Sequence, residues 1–137
     1  MRDRAAATTL RNAAIYALAA LFLLAAGAHF VFVDTFASIV PGPLPFAREI
    51  VMLTGLVEGL LAVGLLIPSL RRLAGTGLAI YCVVVWPANV QMALDGTAFA
   101  GVTLPAWVLW ARVAMQVPLI ALIVWAAALV PAQRAGR

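Results

Sequence analysis

The chain has 137 residues, 66% of them hydrophobic and only 10% charged, with nine arginines and no lysine against five acids. Soluble domains run at about 45–50% apolar and about 25% charged, so this composition excludes an ordinary soluble globule. It indicates one integral membrane domain over residues 1–137, with the lipid bilayer as its first partner. A pI near 10.7 would suggest nucleic acid in a soluble protein. Here the arginines cluster at the ends of apolar runs, so they act as topology signals and imply no nucleic-acid partner. The Ala-rich, Arg-only composition points to a bacterial source with a GC-rich genome.

Residues 1–12 carry Arg2, Arg4 and Arg11, and a first apolar span follows over 13–33. Ala26-Gly27-Ala28 fits the small-x-small pattern of a signal-peptide cleavage site, but the run exceeds the 7–15 residues of a signal-peptide core, so a retained span is expected. In residues 34–47, Pro41, Gly42, Pro43 and Pro45 forbid a continuous helix. Phe36, Ile39, Val40, Leu44 and Phe46 are apolar, so this loop should lie in the interface or fold back over the bundle mouth. The second span, 50–67, is about 27 Å long at helical rise, close to a hydrocarbon core of roughly 30 Å. Its neighbour follows after the short turn Pro68-Ser69-Leu70-Arg71-Arg72, which makes the two antiparallel.

The third span covers 73–94, thinned at its start by Gly75 and Gly77. Pro87 near its end removes a backbone donor and frees a carbonyl about one turn earlier. A polar loop from Asp95 to Thr103 leads to the fourth span, 105–130, with Pro105 suited to a first helical turn and Pro118 expected to kink it. Gln133 to Arg137 form a tail. The expected fold is an all-α, integral membrane four-helix bundle. Four spans put both termini on one side. Arg2, Arg4, Arg11, Arg71, Arg72, Arg134 and Arg137 fall there, against Arg48 alone in an opposite loop, so both termini are expected in the cytoplasm. Trp107 and Trp110 share a helix face suited to an aromatic belt, roughly opposite Arg112. They should face lipid while Arg112 faces the bundle.

Seven polar side chains within the apolar spans are the candidates: His29, Thr54, Glu58, Asn89, Gln91, Arg112 and Gln116. At helical rise, His29 comes about 6 Å below the outer end of its span, Asn89 about 8 Å, Arg112 about 10 Å and Glu58 about 12 Å. Four helices thus bring polar groups to one layer. A carboxylate at a bilayer centre costs roughly 2.5–3.5 kcal/mol on insertion scales and is tolerated where it faces a protein interior with a partner. Arg112 does not lose its proton in proteins, so a Glu58–Arg112 ion pair is the expected arrangement. Gln116 lies one turn below Arg112 and extends the network, and His29 is able to exchange protons near neutral pH. Gly55 and Gly59 flank the acid and let another helix approach. Each polar residue also has a purely structural reading, as interhelical glue worth under about 2 kcal/mol. One His, and only one acid at this depth, do not suit a metal site. Cys82 is the only cysteine, so an intrachain disulfide and a CxxC pair are excluded, and its apolar surroundings mark it as a core residue.

Several of these pieces occur together in the DoxX-like family of small bacterial membrane proteins, which the chain resembles over nearly its whole length. The pieces are Gly27-Ala28-His29-Phe30 ending the first span, the Pro-rich loop, and Thr54-Gly55 with Glu58 followed by Gly64 to Pro68. Pro87-Ala88-Asn89 and the Arg112/Gln116 pair complete the set. The resemblance implies a four-helix membrane bundle of the bacterial cytoplasmic membrane, associated with thiosulfate:quinone oxidoreductase subunits and related assemblies. Two functions follow as expectations. In the first, His29, Thr54, Glu58, Asn89, Gln91, Arg112 and Gln116 bind a quinone-like lipophile in an outward-facing pocket, and an oxidoreductase subunit or other membrane protein is the redox partner. In that reading Arg112, Asn89 or His29 would donate to a carbonyl oxygen, and Glu58 or His29 would relay a proton. No covalent cofactor is expected, and a quinone is the candidate non-covalent one. In the second, the chain is a non-catalytic assembly, chaperone or anchoring subunit with a structural polar core. A ligand-sized pocket favours the first; a dry Glu58–Arg112 pair favours the second. The sequence is compatible with an oligomer and names no catalytic residue.

Overall fold

The structure, a computed structural model, describes residues 2–40, 42–96, 98 and 101–128, with side chains from residue 6 onward. The helices are α1 (Arg2–Val31), α2 (Val33–Ser38), α3 (Ala47–Leu66), α4 (Arg71–Asp95) and α5 (Ala106–Ala126). All but α2 are long and apolar enough to cross a membrane, so the chain is an all-α four-helix bundle of multi-pass membrane type. Large apolar side chains such as Leu24, Leu73 and Val84 stand on its outside, more than half exposed. In water that surface would be an aggregation liability; in a bilayer it faces lipid. Trp107 and Trp110 share this outward face. The last residues of the expected fourth span and the tail from Gln133 lie outside the described residues.

The Pro-rich loop departs from expectation in one respect. Its prolines act only from Pro43 onward among the described residues, and the apolar stretch before them folds as α2. Phe36 and Ile39 turn inward, so α2 lies over one end of the bundle rather than standing in water. We call this the loop end, and the opposite end, where the α3–α4 turn lies, the terminal end.

Two apolar cores hold the bundle. At the terminal end, Ile15, Leu18, Leu65, Leu78 and Ile123 join α1, α3, α4 and α5 in a cluster that also holds Cys82. At the loop end, Ile39, Met92, Ala93 and Leu109 join the α2 segment to α4 and α5, without α1. The terminal core depends on close backbone approach: a Cβ on Gly64 would lie 2.8 Å from that of Ala74. Arginines finish this end. Arg71 Nε donates to the Leu65 carbonyl and Arg11 Nε to that of Ala126, both at 3.1 Å. They satisfy carbonyls at the C-terminal ends of α3 and α5, where a cation also complements the helix dipole.

Candidate ligand-binding site

Between the two cores the helices part. The space is about 570 Å³, within the range of roughly 300–1,000 Å³ typical of small-molecule sites. Phe22, Val51, Val85 and Leu119 contribute apolar wall; Phe36, Ile39, Val40 and Leu44 cover the loop end. Into it converge His29 from α1, Thr54 and Glu58 from α3, Tyr81 and Asn89 from α4, and Arg112 and Gln116 from α5. Six of the seven polar residues picked from the sequence therefore line one cavity.

Gln91 is the exception and corrects the expected set. Its side-chain amide donates to Asp95 Oδ2 at 2.8 Å on the exposed side of α4. Two residues on a helix are separated by about 200° of rotation, so Asn89 and Gln91 cannot share a face.

Glu58 is 3% exposed, and its partners differ from expectation. The Tyr81 hydroxyl donates to Oε2 at 3.0 Å, and His29 Nδ1 lies 3.3 Å from the same oxygen. No Glu58–Arg112 ion pair forms: among the described residues Arg48 pairs with Asp34, and the basic side chain beside Glu58 is His29, charged only when protonated. Arg112 lies close enough for a Coulomb interaction with Glu58, but across the cavity. Its one hydrogen bond to a described side chain is a weak 3.8 Å contact from Nη1 to the Met92 thioether. A guanidinium has five N–H donors. Most of those of Arg112 are therefore left for solvent, lipid or a ligand.

His29 is held from three sides. Nδ1 is 3.0 Å from the Ala25 carbonyl oxygen as well as near Glu58, and the ring stacks on Phe36 at a centroid distance of 4.4 Å and 8° between planes. Both neighbours of Nδ1 are acceptors, so the hydrogen-bond pattern assigns the proton there and leaves Nε2 as the acceptor nitrogen of the neutral ring. Gly55 makes this placement sterically feasible, since a Cβ at that position would stand 2.6 Å from His29 Cβ. Thr54 donates to the Val51 carbonyl at 2.9 Å and lies within hydrogen-bonding reach of Tyr81.

A second network joins α4 to α5. Asn89 Nδ2 donates to Gln116 Oε1 at 3.1 Å, and Gln116 Nε2 donates to the Cys82 carbonyl at 2.7 Å. Pro87 supplies no N–H to the Val83 carbonyl and disturbs this turn of α4. The adjacent Cys82 carbonyl is the one that takes the side-chain donor.

Tyr81 is the functional-site residue that sequence reasoning missed. A signal existed: membrane tyrosines concentrate at the two interfaces, and a buried one well inside a span needs a partner for its hydroxyl. Among the described residues, no three His, Cys, Asp or Glu side chains gather in a way that would hold a metal ion.

Searches of curated proteins and of solved structures yield no match to this chain. A family model does match, over residues 18–130, a region that contains every residue of the cavity. The chain belongs to that family, described as a domain of unknown function, DUF8561.

Proposed function

We propose that the chain is a membrane subunit that binds a quinone-like lipophilic molecule in this cavity and serves a redox partner. The observation that carries the reading is a ligand-sized, mostly apolar cavity into which polar groups from all four spanning helices converge. The absence of a direct Glu58–Arg112 contact supports it too, because a dry ion pair would fill the space a ligand needs. Arg112 donates to a carbonyl oxygen of the ligand. Glu58, Tyr81 and His29 form the path for the proton that accompanies reduction, and the electrons come from the partner protein. The DoxX-like resemblance supports the same reading, with the bundle in a bacterial cytoplasmic membrane and both termini in the cytoplasm.

A second reading, an assembly or anchoring subunit, draws support from the Asn89–Gln116–Cys82 network, which ties α4 to α5 without needing a ligand. Native mass spectrometry with lipid extraction separates the two. The wild-type protein should carry a lipophile, and Arg112→Gln should fold and lose it. A wild-type protein that carries only bulk phospholipid, or an Arg112→Gln variant that keeps the same lipophile, supports the second reading instead. Orientation is checked with cysteines placed at Ser69 and Thr103 in a Cys82→Ala background. An impermeant reagent added outside should label Thr103→Cys and spare Ser69→Cys.

A further inference from the structure

Helices α1 and α5 meet only along part of their length. Toward the terminal end they are packed: Ile15 and Leu18 share a core with Ile123 and Ala126, and Arg11 reaches the Ala126 carbonyl. One to two turns further up, the facing residues Leu21 on α1 and Met115 on α5 are 50% and 61% exposed, yet both also line the cavity. At the loop end, the core joining α2, α4 and α5 contains no residue of α1. A side chain that is both exposed and cavity-lining marks a rim; Val84 on α4, 66% exposed and cavity-lining, marks a second one away from α1. At this depth the medium outside the rim is hydrocarbon.

The position of Arg112 gives the gap a direction. Met115 and Leu119 follow it at spacings of three and seven residues, so all three lie along the α1-facing side of α5. All three line the cavity. Arg112 is itself exposed as well as cavity-lining, so its guanidinium stands at the gap, with most of its donors unused by the described residues. A permanent cation there favours an oxygen-bearing head, and the apolar rim favours a hydrocarbon tail. The loop end, meanwhile, is covered by Phe36, Ile39, Val40 and Leu44, and His29 is stacked under Phe36.

We infer that the cavity is loaded sideways from the lipid phase, through the gap between α1 and α5. Its ligand is an amphiphile with an oxygen head at Arg112 and a flexible hydrocarbon tail that passes over Leu21 and Met115 into the bilayer. The inference deepens the lipophile-binding reading, but the route stands apart from the identity of the head.

The test uses the full-length protein in phosphatidylcholine vesicles doped with a fatty acid that carries a photoreactive diazirine in its chain. After illumination, adducts are mapped by mass spectrometry. In wild type, label should reach Leu119 and Ala25 inside the cavity as well as lipid-facing Leu24. Met115→Trp and Leu21→Trp fill the rim and should lower the cavity adducts about tenfold relative to Leu24. Val84→Trp, which fills the α4 rim, should lower them far less, and Ile80→Trp, exposed on α4 and outside the cavity lining, should leave them unchanged. Loss of cavity labelling in Val84→Trp with retention in Met115→Trp would overturn the route, as would cavity labelling that is absent from wild type. A second arm measures binding of a benzoquinone with a decyl chain against the same head without one. The rim variants should weaken the tailed probe about tenfold and leave the bare head unchanged. Equal weakening of both counts against the tail placement. If neither probe binds wild type while diazirine labelling follows the α1–α5 rim, the lateral route holds and the quinone-like reading falls.

Discussion

The two ends of the bundle solve different problems with the same four helices. The terminal end is closed: aliphatic side chains from α1, α3, α4 and α5 fill it, a glycine brings α3 against α4, and arginines cover the last carbonyls of α3 and α5. The loop end is held apart: polar side chains stand between the helices and α2 lies across the top. One half therefore gives the bundle its stability, while the other gives up packing to keep a space. The contrast predicts that truncations of similar size have very different consequences in the two halves.

The largest effect should come from the closed half. Leu65 and Leu78 are fully buried, so Leu65→Ala or Leu78→Ala should cost about 2–5 kcal/mol and lower the melting temperature in detergent markedly. Leu119→Ala, in the cavity wall, should cost clearly less, because part of its surface already faces open space. Equal losses at the two sites would erase the distinction.

A smaller effect, about 1–3 kcal/mol, is expected from Gly55→Ala, since its Cβ collides with the His29 side chain and stands a tight 3.3 Å from the Ala26 carbonyl oxygen. Gly59→Ala should be near neutral, because the corresponding Cβ meets Ala26 at an ordinary 3.5 Å. Thermal melts of the two variants side by side decide this. Reversal of their order would mean that α1 and α3 approach elsewhere.

Next comes the pairing of Glu58. Tyr81→Phe removes the hydroxyl that donates to a buried carboxyl group and should cost about 1–3 kcal/mol. Combined with Glu58→Gln, it should show a coupling of about 0.5–3 kcal/mol in a double-mutant cycle. Arg112, which makes no direct contact with Glu58, should couple to it more weakly than Tyr81 does. A stronger Glu58–Arg112 coupling would restore the ion pair expected from sequence. At the bottom of the scale, Gln91→Ala should change stability by no more than about 0.5 kcal/mol and leave the cavity untouched, a null result that checks its outward placement.

The helices could be read directly from the chain because a bilayer sets both their length and their composition. The runs beginning near Ala13, Ile50, Leu73 and Pro105 each fall within a helix observed in the fold or begin beside one. The layer of polar residues was legible for the same reason: rise per residue turns position in a span into depth. Depth does not give azimuth. That is why depth alone pairs Glu58 with Arg112, which lie on separate sides of a cavity, and puts Gln91, which points to a different face, with Asn89. Tyr81 is hidden in the sequence because a tyrosine blends into an apolar run, although its hydroxyl becomes the closest described partner of the buried acid. The volume of the cavity was not legible at all. It arises from how far four helices splay, which depends on contacts such as Gly55 with His29 that no local pattern encodes.

The bond from Arg11 to the Ala126 carbonyl has a consequence for biosynthesis. Its partners are separated by 115 positions, so it forms only once α3 and α4 have been made and α5 is in the membrane. Until then α1 has no α5 surface to pack against on that flank, and its guanidinium lacks this carbonyl. A nascent chain stalled after α4 would display that unfinished flank to quality-control proteases and insertion chaperones. Completion of the ring is thus a late checkpoint, and Arg11→Ala should show itself first as faster turnover of newly made protein.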